Sequence, residues 1–204
     1  MTPKLFARFI ETATRVSPSL RQAFADIGPV SIPDRSGKGL AYLLSRVIIG
    51  QQLSTKAAHS IWGRIEEAVG ETGSRIPDFF RDENALLLRQ CGVSHNKIRA
   101  LCGIPVAHEE GTLSPESLGG LNAAQRSEHL QTLQGVGPWT ADMMSIFYFG
   151  EADVWPQSDT AVRKTFSRFV HERGELQVAE AADLFSPYRS YLAIYMWQIV
   201  ARMP

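Results

Sequence analysis

A chain of 204 residues, 44% apolar and with 21 basic residues against 21 acidic ones, can bury one substantial core or two packed lobes, and its zero formal charge excludes a coat protein held to polyanions by its overall field. No apolar run approaches the roughly eighteen residues of a membrane span, and Arg8 and Glu11 interrupt the first helical pattern, so a soluble cytoplasmic protein is expected. Cys91 and Cys102 are too few for a four-cysteine iron–sulfur centre and make no zinc motif; reduced, partly buried thiols are expected.

In chain order, the apolar period of Leu5, Phe6, Phe9 and Ile10 predicts an amphipathic helix over 3–14, and Ser17-Pro18 caps a second one reaching Gly28. The Pro- and Gly-rich stretch 28–39 reads as a crossing loop. Residues 40–50 are apolar almost all round, which implies a helix buried on most sides. Gln51-Gln52-Leu53-Ser54 follows, with Ser54 as N-cap of a helix to about Val69. Packing does not explain two glutamines there; on local grounds a solvated polar turn and a binding loop fit equally. Residues 82–90 predict a helix closed by Gly92, and Ser94 caps another carrying Lys97, Ile98 and Leu101. Pro105, Pro115 and several glycines make 103–120 mostly loop and short turns, and Asn122 caps the next helix.

The richest stretch is Leu133-Gln134-Gly135-Val136-Gly137-Pro138-Trp139-Thr140-Ala141. Helical period on both sides places the glycines in a tight helix-to-helix turn, where they allow positive φ and close approach, and Pro138 suits a first helical turn. An αα-corner and an anion-binding turn, with backbone amides at a positive helix end, are both open on this pattern alone. Beyond it, 150–156 is irregular, Ser158 is the expected N-cap of a helix 159–170, and Arg163, Lys164 and Arg168 form a basic stripe. A helix over 177–184 and a last one opened by Ser186-Pro187, with Tyr188, Leu192, Tyr195, Met196 and Trp197, complete an all-α chain of about nine or ten helices.

Leu-Gln-Gly-Val-Gly-Pro-Trp-Thr-Ala, with Asp159 twenty residues beyond Trp139, resembles the helix-hairpin-helix and catalytic aspartate of the 3-methyladenine (alkylation-damage) DNA glycosylases. Ile-Gly-Gln-Gln-Leu-Ser-Thr-Lys-Ala-Ala is similar to that family's Gln-Gln-(Ile/Leu)-Ser segment, and Gly92-Val93-Ser94-His95-Asn96-Lys97 to its Gly-(Leu/Val)-Ser-x-x-Lys segment. The resemblance spans roughly residues 40 to 200 and implies a two-lobed all-α fold with a cleft between the lobes, the sub-lobes covering about 36–152 and 1–35 plus 153–204. It implies double-stranded DNA with alkylated bases as the partner, a monomer (nucleoid-associated if bacterial), and no cofactor apart from a monovalent cation at the hairpin backbone of Leu133 and Gly135. Gln51, Gln52, Leu53, Ser54, Gly135, Val136, Gly137, Thr140, Arg163 and Lys164 are the implied DNA contacts. Gln52 is the expected wedge filling the place of a flipped nucleotide, with Leu53 as alternative.

A carboxylate at Asp159 suits cleavage of an N-glycosidic bond, because positive charge builds on the deoxyribose. The other reading of Asp159 is a helix cap. Trp139 stands where relatives resembling endonuclease III carry a lysine that forms a Schiff base, so the expectation is a glycosylase without strand-cleaving activity. Lys97 and Lys164 carry no mark of a desolvated amine in their segments. Trp139, Trp197 and Trp155 are the aromatics expected to stack on an electron-poor base, and Met143 stands where some members have tyrosine. A glycosylase for other damaged or mismatched bases, and a non-catalytic hairpin module, are the rival readings.

Overall fold

The computed structural model describes residues 1–203, and among these it contains thirteen α-helices and two short 3₁₀ turns. Two compact units share the chain: Met1–Pro33 with Gly150–Pro204, and Asp34–Phe149. These boundaries differ by two or three residues from those the sequence implies.

The first unit is built on helices α1 (Pro3–Val16), α2 (Pro18–Ile27), α11 (Thr160–Val170), α12 (Val178–Asp183) and α13 (Arg189–Arg202). Ser17 ends α1 and caps α2, its hydroxyl accepting from the Leu20 N–H at 3.1 Å. Rings fill the core: Phe24 stacks on Tyr195 with centroids 4.1 Å apart, and Phe9 meets Phe185 at 5.2 Å. The buried Tyr195 hydroxyl is satisfied by donating to the Gly28 carbonyl at 2.7 Å. The last helix begins at Arg189 instead of Pro187, after a cis Ser186–Pro187 bond.

The second unit holds α3 (Leu40–Gly50), α4 (Thr55–Thr72), α5 (Ile76–Phe79), α6 (Ala85–Gln90), α7 (His95–Glu109), α8 (Pro115–Gly119), α9 (Ala123–Gln131) and α10 (Pro138–Phe147). Helix α3 lies in its interior, with Leu44 and Ile48 fully buried beside Trp62, Ile65 and Leu101. The predicted caps Ser54, Ser94 and Asn122 are in place, each side chain accepting a backbone N–H three residues on.

Three expectations need correcting. The helix count is higher, because α5 forms over Ile76–Phe79 and because 103–120, expected as loop, is largely helical and includes α8, while 82–90 divides into a 3₁₀ turn and α6. Helix α7 runs through Pro105 to Glu109; the lost N–H costs one helical hydrogen bond, but Ile98, Leu101, Ile104, Pro105 and Ala107 keep a buried stripe that outweighs it. The N-cap of α11 is Asp159, whereas Ser158 is exposed.

Candidate active site

In the first unit, the irregular segment 150–159 is fastened to the start of α13. Ser190 donates its hydroxyl to the Glu151 carbonyl at 2.6 Å and accepts from the Val154 N–H at 2.9 Å, while its own N–H donates to the Ala152 carbonyl at 3.0 Å. Arg189 grips Asp153 through Nε at 2.8 Å and Nη2 at 3.0 Å. Burial would raise the Asp153 carboxyl, but these charge-assisted hydrogen bonds outweigh it and hold the group below the usual carboxylate range. None of this network is visible as a motif, since Asp153 and Arg189 are 36 residues apart.

The segment delivers Asp159, only 8% exposed, to the head of α11. Its Oδ1 accepts from the Val162 N–H at 2.9 Å, and its Oδ2 accepts from Trp197 Nε1 on α13 at 3.2 Å. Two donors on different oxygens fix the plane of the carboxyl group and complement negative charge. Asp159 is therefore a helix cap and more than one: a cap needs a single oxygen, and here the second is held by an indole. Trp197, expected as a stacking ring, also orients this carboxylate. Trp155 sets its ring edge-on to Phe166 at 5.4 Å, a packing role within the same unit. Arg163 and Lys164 are exposed on α11.

In the second unit, the turn between α9 and α10 has the tight form expected, but its glycines differ. Gly135 has φ of +79°, and a Cβ there would lie 2.5 Å from the Cβ of Ala100 on α7. Gly137 is in extended backbone with φ of −104°, and a Cβ on it would meet nothing within 4 Å. Gly135 thus serves the fold, and Gly137 leaves an open approach to the head of α10, which no side chain caps.

Four residues expected to touch DNA, Gln51, Ser54, Val136 and Thr140, have partners within the second unit. Val136 is buried in the core at 6% exposure. Thr140 is 1% exposed, its hydroxyl accepting from Gln51 Nε2 at 2.8 Å, and the same amide nitrogen donates to the Gly135 carbonyl at 2.9 Å. Alternation of polar and apolar residues cannot reveal that a polar side chain is spent inside the fold. Gln52, in contrast, is exposed with φ of +56°, a left-handed conformation rare outside glycine, and Leu53 beside it is 39% exposed. Ser54 is used as the cap of α4. Lys97, which carries no warning in its segment, is partly desolvated: burial lowers it from the ordinary lysine range, and its ammonium donates to the Ile49 carbonyl at 2.7 Å and the Gln51 carbonyl at 2.8 Å.

Along α10, Trp139, Asp142 and Met143 fall at spacings of three and four, on one side of the helix. Trp139 is half-buried and Met143 buried. Burial pushes the Asp142 carboxyl up to about 7, a feature no motif marks.

No family model matches the chain. It is 29% identical over 160 residues to the DNA-3-methyladenine glycosylase 1 of Schizosaccharomyces pombe, an alignment covering 76% of this chain and 70% of that protein. A solved DNA-3-methyladenine glycosidase from Bacillus halodurans superposes with a TM-score of 0.72 at 29% identity, over 95% of this chain and 89% of that one. The S. pombe 3-methyladenine DNA glycosylase Mag1, solved in complex with abasic DNA, superposes with a TM-score of 0.78 at 24% identity, over 95% and 96%. The chain is homologous to the DNA-3-methyladenine glycosylases. Its fold is that of the helix-hairpin-helix glycosylases.

The hairpin cation that the resemblance implies can be set against the turn itself. The Leu133 carbonyl accepts from the Val136 N–H at 3.1 Å and the Gly135 carbonyl from Gln51. Each oxygen accepts one hydrogen bond and keeps a second lone pair that could face a monovalent cation, and no step below depends on one.

Proposed function

We propose that the chain is a monofunctional DNA glycosylase of base excision repair, which takes alkylated bases of the 3-methyladenine type out of duplex DNA and hydrolyses the N-glycosidic bond to leave an abasic site. The observation that carries this reading is the Asp159 carboxylate, held on one oxygen by Val162 and on the other by Trp197. As the bond between C1′ and the base nitrogen breaks, its electron pair leaves with the base and the sugar becomes cationic. A fixed carboxylate lowers the energy of that cation, and it can take a proton from the water that attacks C1′. A ring-alkylated base is electron-poor and leaves readily, so the protein need mainly hold it; Trp197, beside Asp159, supplies an aromatic face for that purpose.

Two residues support reaction by hydrolysis alone. A Schiff base needs a free nitrogen at the sugar carbon, Trp139 offers an indole, and Lys97 spends its protons on two carbonyls. Gln52 is the wedge in this reading, because its left-handed, exposed position puts an amide at the tip of the loop, with Leu53 next to it. Arg163 and Lys164 are the phosphate contacts from α11, Gly137 at the head of α10 admits another phosphate, and one copy of the chain is sufficient.

The test is a panel of duplexes carrying alkylated, oxidised or mismatched bases, assayed for base release and separately for strand nicking. Release of alkylated purines, with strands breaking only after alkali and no adduct trapped by borohydride, is the expected result. Release confined to oxidised or mismatched bases would reassign the substrate, a trapped adduct would reinstate a lysine nucleophile, and binding without release would leave a non-catalytic module.

A further inference from the structure

The contacts of Gln51 and Lys97 do more than close a loop. Gln51 Nε2 bridges from the end of α3 to two points of the hairpin, the Gly135 carbonyl at 2.9 Å and the Thr140 hydroxyl at 2.8 Å, 84 and 89 residues away. Lys97 Nζ draws together the carbonyls of Ile49 and Gln51, acceptors that the end of α3 leaves without helical partners. Lys97 and Ala100 are one turn apart on α7, and Ala100 is the residue against which Gly135 is packed with no room for a side chain. One helix face thus touches both the loop and the hairpin turn. Between these fixed points sits Gln52, whose left-handed φ of +56° is unfavourable for a residue with a Cβ and persists only where flanking contacts impose it.

We infer that Gln51 and Lys97 are positioning residues that join the Gln52 tip to the hairpin turn, so that the turn's hold on a phosphate sets where Gln52 enters the duplex. The inference rests on the glycosylase reading only in taking DNA as the ligand. Gln51 itself does not contact DNA in this scheme; it acts through Gln52.

The experiment compares Gln51→Ala, Lys97→Met and the milder Thr140→Val, which removes one of the two acceptors of Gln51, after each is shown to melt as a folded protein. Entry of the tip is read without catalysis from the fluorescence of 2-aminopurine placed opposite a tetrahydrofuran abasic analogue, which rises when that base is unstacked. The wild type should give the rise. Gln51→Ala and Lys97→Met should lose most of it, and Thr140→Val part of it, while affinity for undamaged duplex stays within about twofold because phosphate contacts are untouched. Single-turnover excision of a paired alkylated base should fall about tenfold in Gln51→Ala, because the tip that its two hydrogen bonds position acts only in the extruded state. The loss should shrink for a lesion placed opposite an abasic gap, where less pairing has to be broken. In a Gln52→Ala background, Gln51→Ala should cost nothing more. Equal losses on both substrates, additive losses in the double variant, or unchanged fluorescence would each overturn the inference and leave Gln51 a structural bond. A wild type that releases no base would sink the proposed function alone, since the fluorescence still decides the placement of the tip.

Discussion

The carboxylate region and the hairpin region use their polar residues in opposite ways. In the first unit the one acid expected to do chemistry is held by donors on both oxygens, and the residues behind it, Ser190, Arg189 and Asp153, hold the backbone that presents it. In the second unit several polar residues expected to face DNA are hydrogen-bonded within the unit, Gln51 to Thr140 and Gly135, Ser54 to the start of α4. Gln52, Leu53 and the open backbone of Gly137 make none of these contacts and are the groups that the proposed function assigns to DNA. A catalytic group can be one side chain well supported, whereas a backbone-reading surface must first be made rigid by its own polar groups.

The largest effect that would sharpen this contrast is expected at Asp159. Asp159→Asn should lower excision of a neutral lesion about a hundredfold or more, since one fixed charge beside a developing cation supplies roughly 3 kcal/mol. Cationic leaving bases should lose least, and affinity for an uncharged abasic analogue should persist. Stability should fall slightly, because whichever way the amide is turned its NH₂ group faces either the Val162 N–H or Trp197 Nε1, and one donor is left unanswered; about 1 kcal/mol is expected in urea melts. Normal excision of a neutral lesion by the folded variant would reduce Asp159 to a cap.

In the hairpin the two glycines should part company. Gly135→Val meets both a positive φ and the Ala100 Cβ at 2.5 Å, so it should cost several kcal/mol or prevent folding, and Ala100→Gly should restore only the part due to the clash. Gly137→Val has room and ordinary backbone angles, so it should fold normally and lose affinity for damaged and undamaged duplex alike, with a shallower salt dependence. Equal melting temperatures for the two variants, or unchanged DNA binding by Gly137→Val, would break the division between a glycine for the fold and a glycine for the ligand.

Much of this was legible in the residues. The caps Ser17, Ser54, Ser94 and Asn122 and the apolar periods between them set most helices, because local hydrogen bonds and a buried stripe need no knowledge of distant neighbours. Asp159 was singled out by the resemblance, from its distance to the hairpin, while the donors on both its oxygens came only with the structure. Helix α7 was cut short because proline reads as a breaker until the burial of the helix around it is known. The internal use of Gln51, the grip of Lys97 and the Asp153–Arg189 pair were out of reach for a common reason: each joins side chains or carbonyls far apart in sequence, and a polar residue looks the same whether its partner is water or another loop.

Asp142 offers a pH-dependent test confined to α10. Its carboxyl is raised by burial from 3.8 to about 7, so the folded state binds the proton more tightly than the unfolded state does. Below pH 3.8 both states are protonated and the burial costs nothing; between 3.8 and 7 the wild type loses stability as pH rises, and above 7 the loss is complete, amounting to a few kcal/mol at most. Asp142→Asn should be flat in this respect, more stable than the wild type at pH 8 and indistinguishable from it at pH 4. Parallel stability curves for the two proteins across that range would show that the carboxyl ionises freely in the fold.

The smallest expected effect concerns Trp197, and it asks whether the indole acts through the carboxylate or only as a stacking face. Trp197→Phe keeps an aromatic ring but removes Nε1–H, the donor to Asp159 Oδ2 at 3.2 Å. A ring used only for stacking would leave the rate on a neutral lesion nearly unchanged, because phenylalanine still offers a face to the base. An indole that orients the carboxylate loses a charge-assisted bond on substitution, and the single-turnover rate should fall about five- to tenfold with little change in DNA affinity. The two roles separate cleanly in the Asp159→Asn background. With the charge already gone, Trp197→Phe should cost almost nothing further if it works by holding Asp159, and should cost the same factor again if it works by stacking.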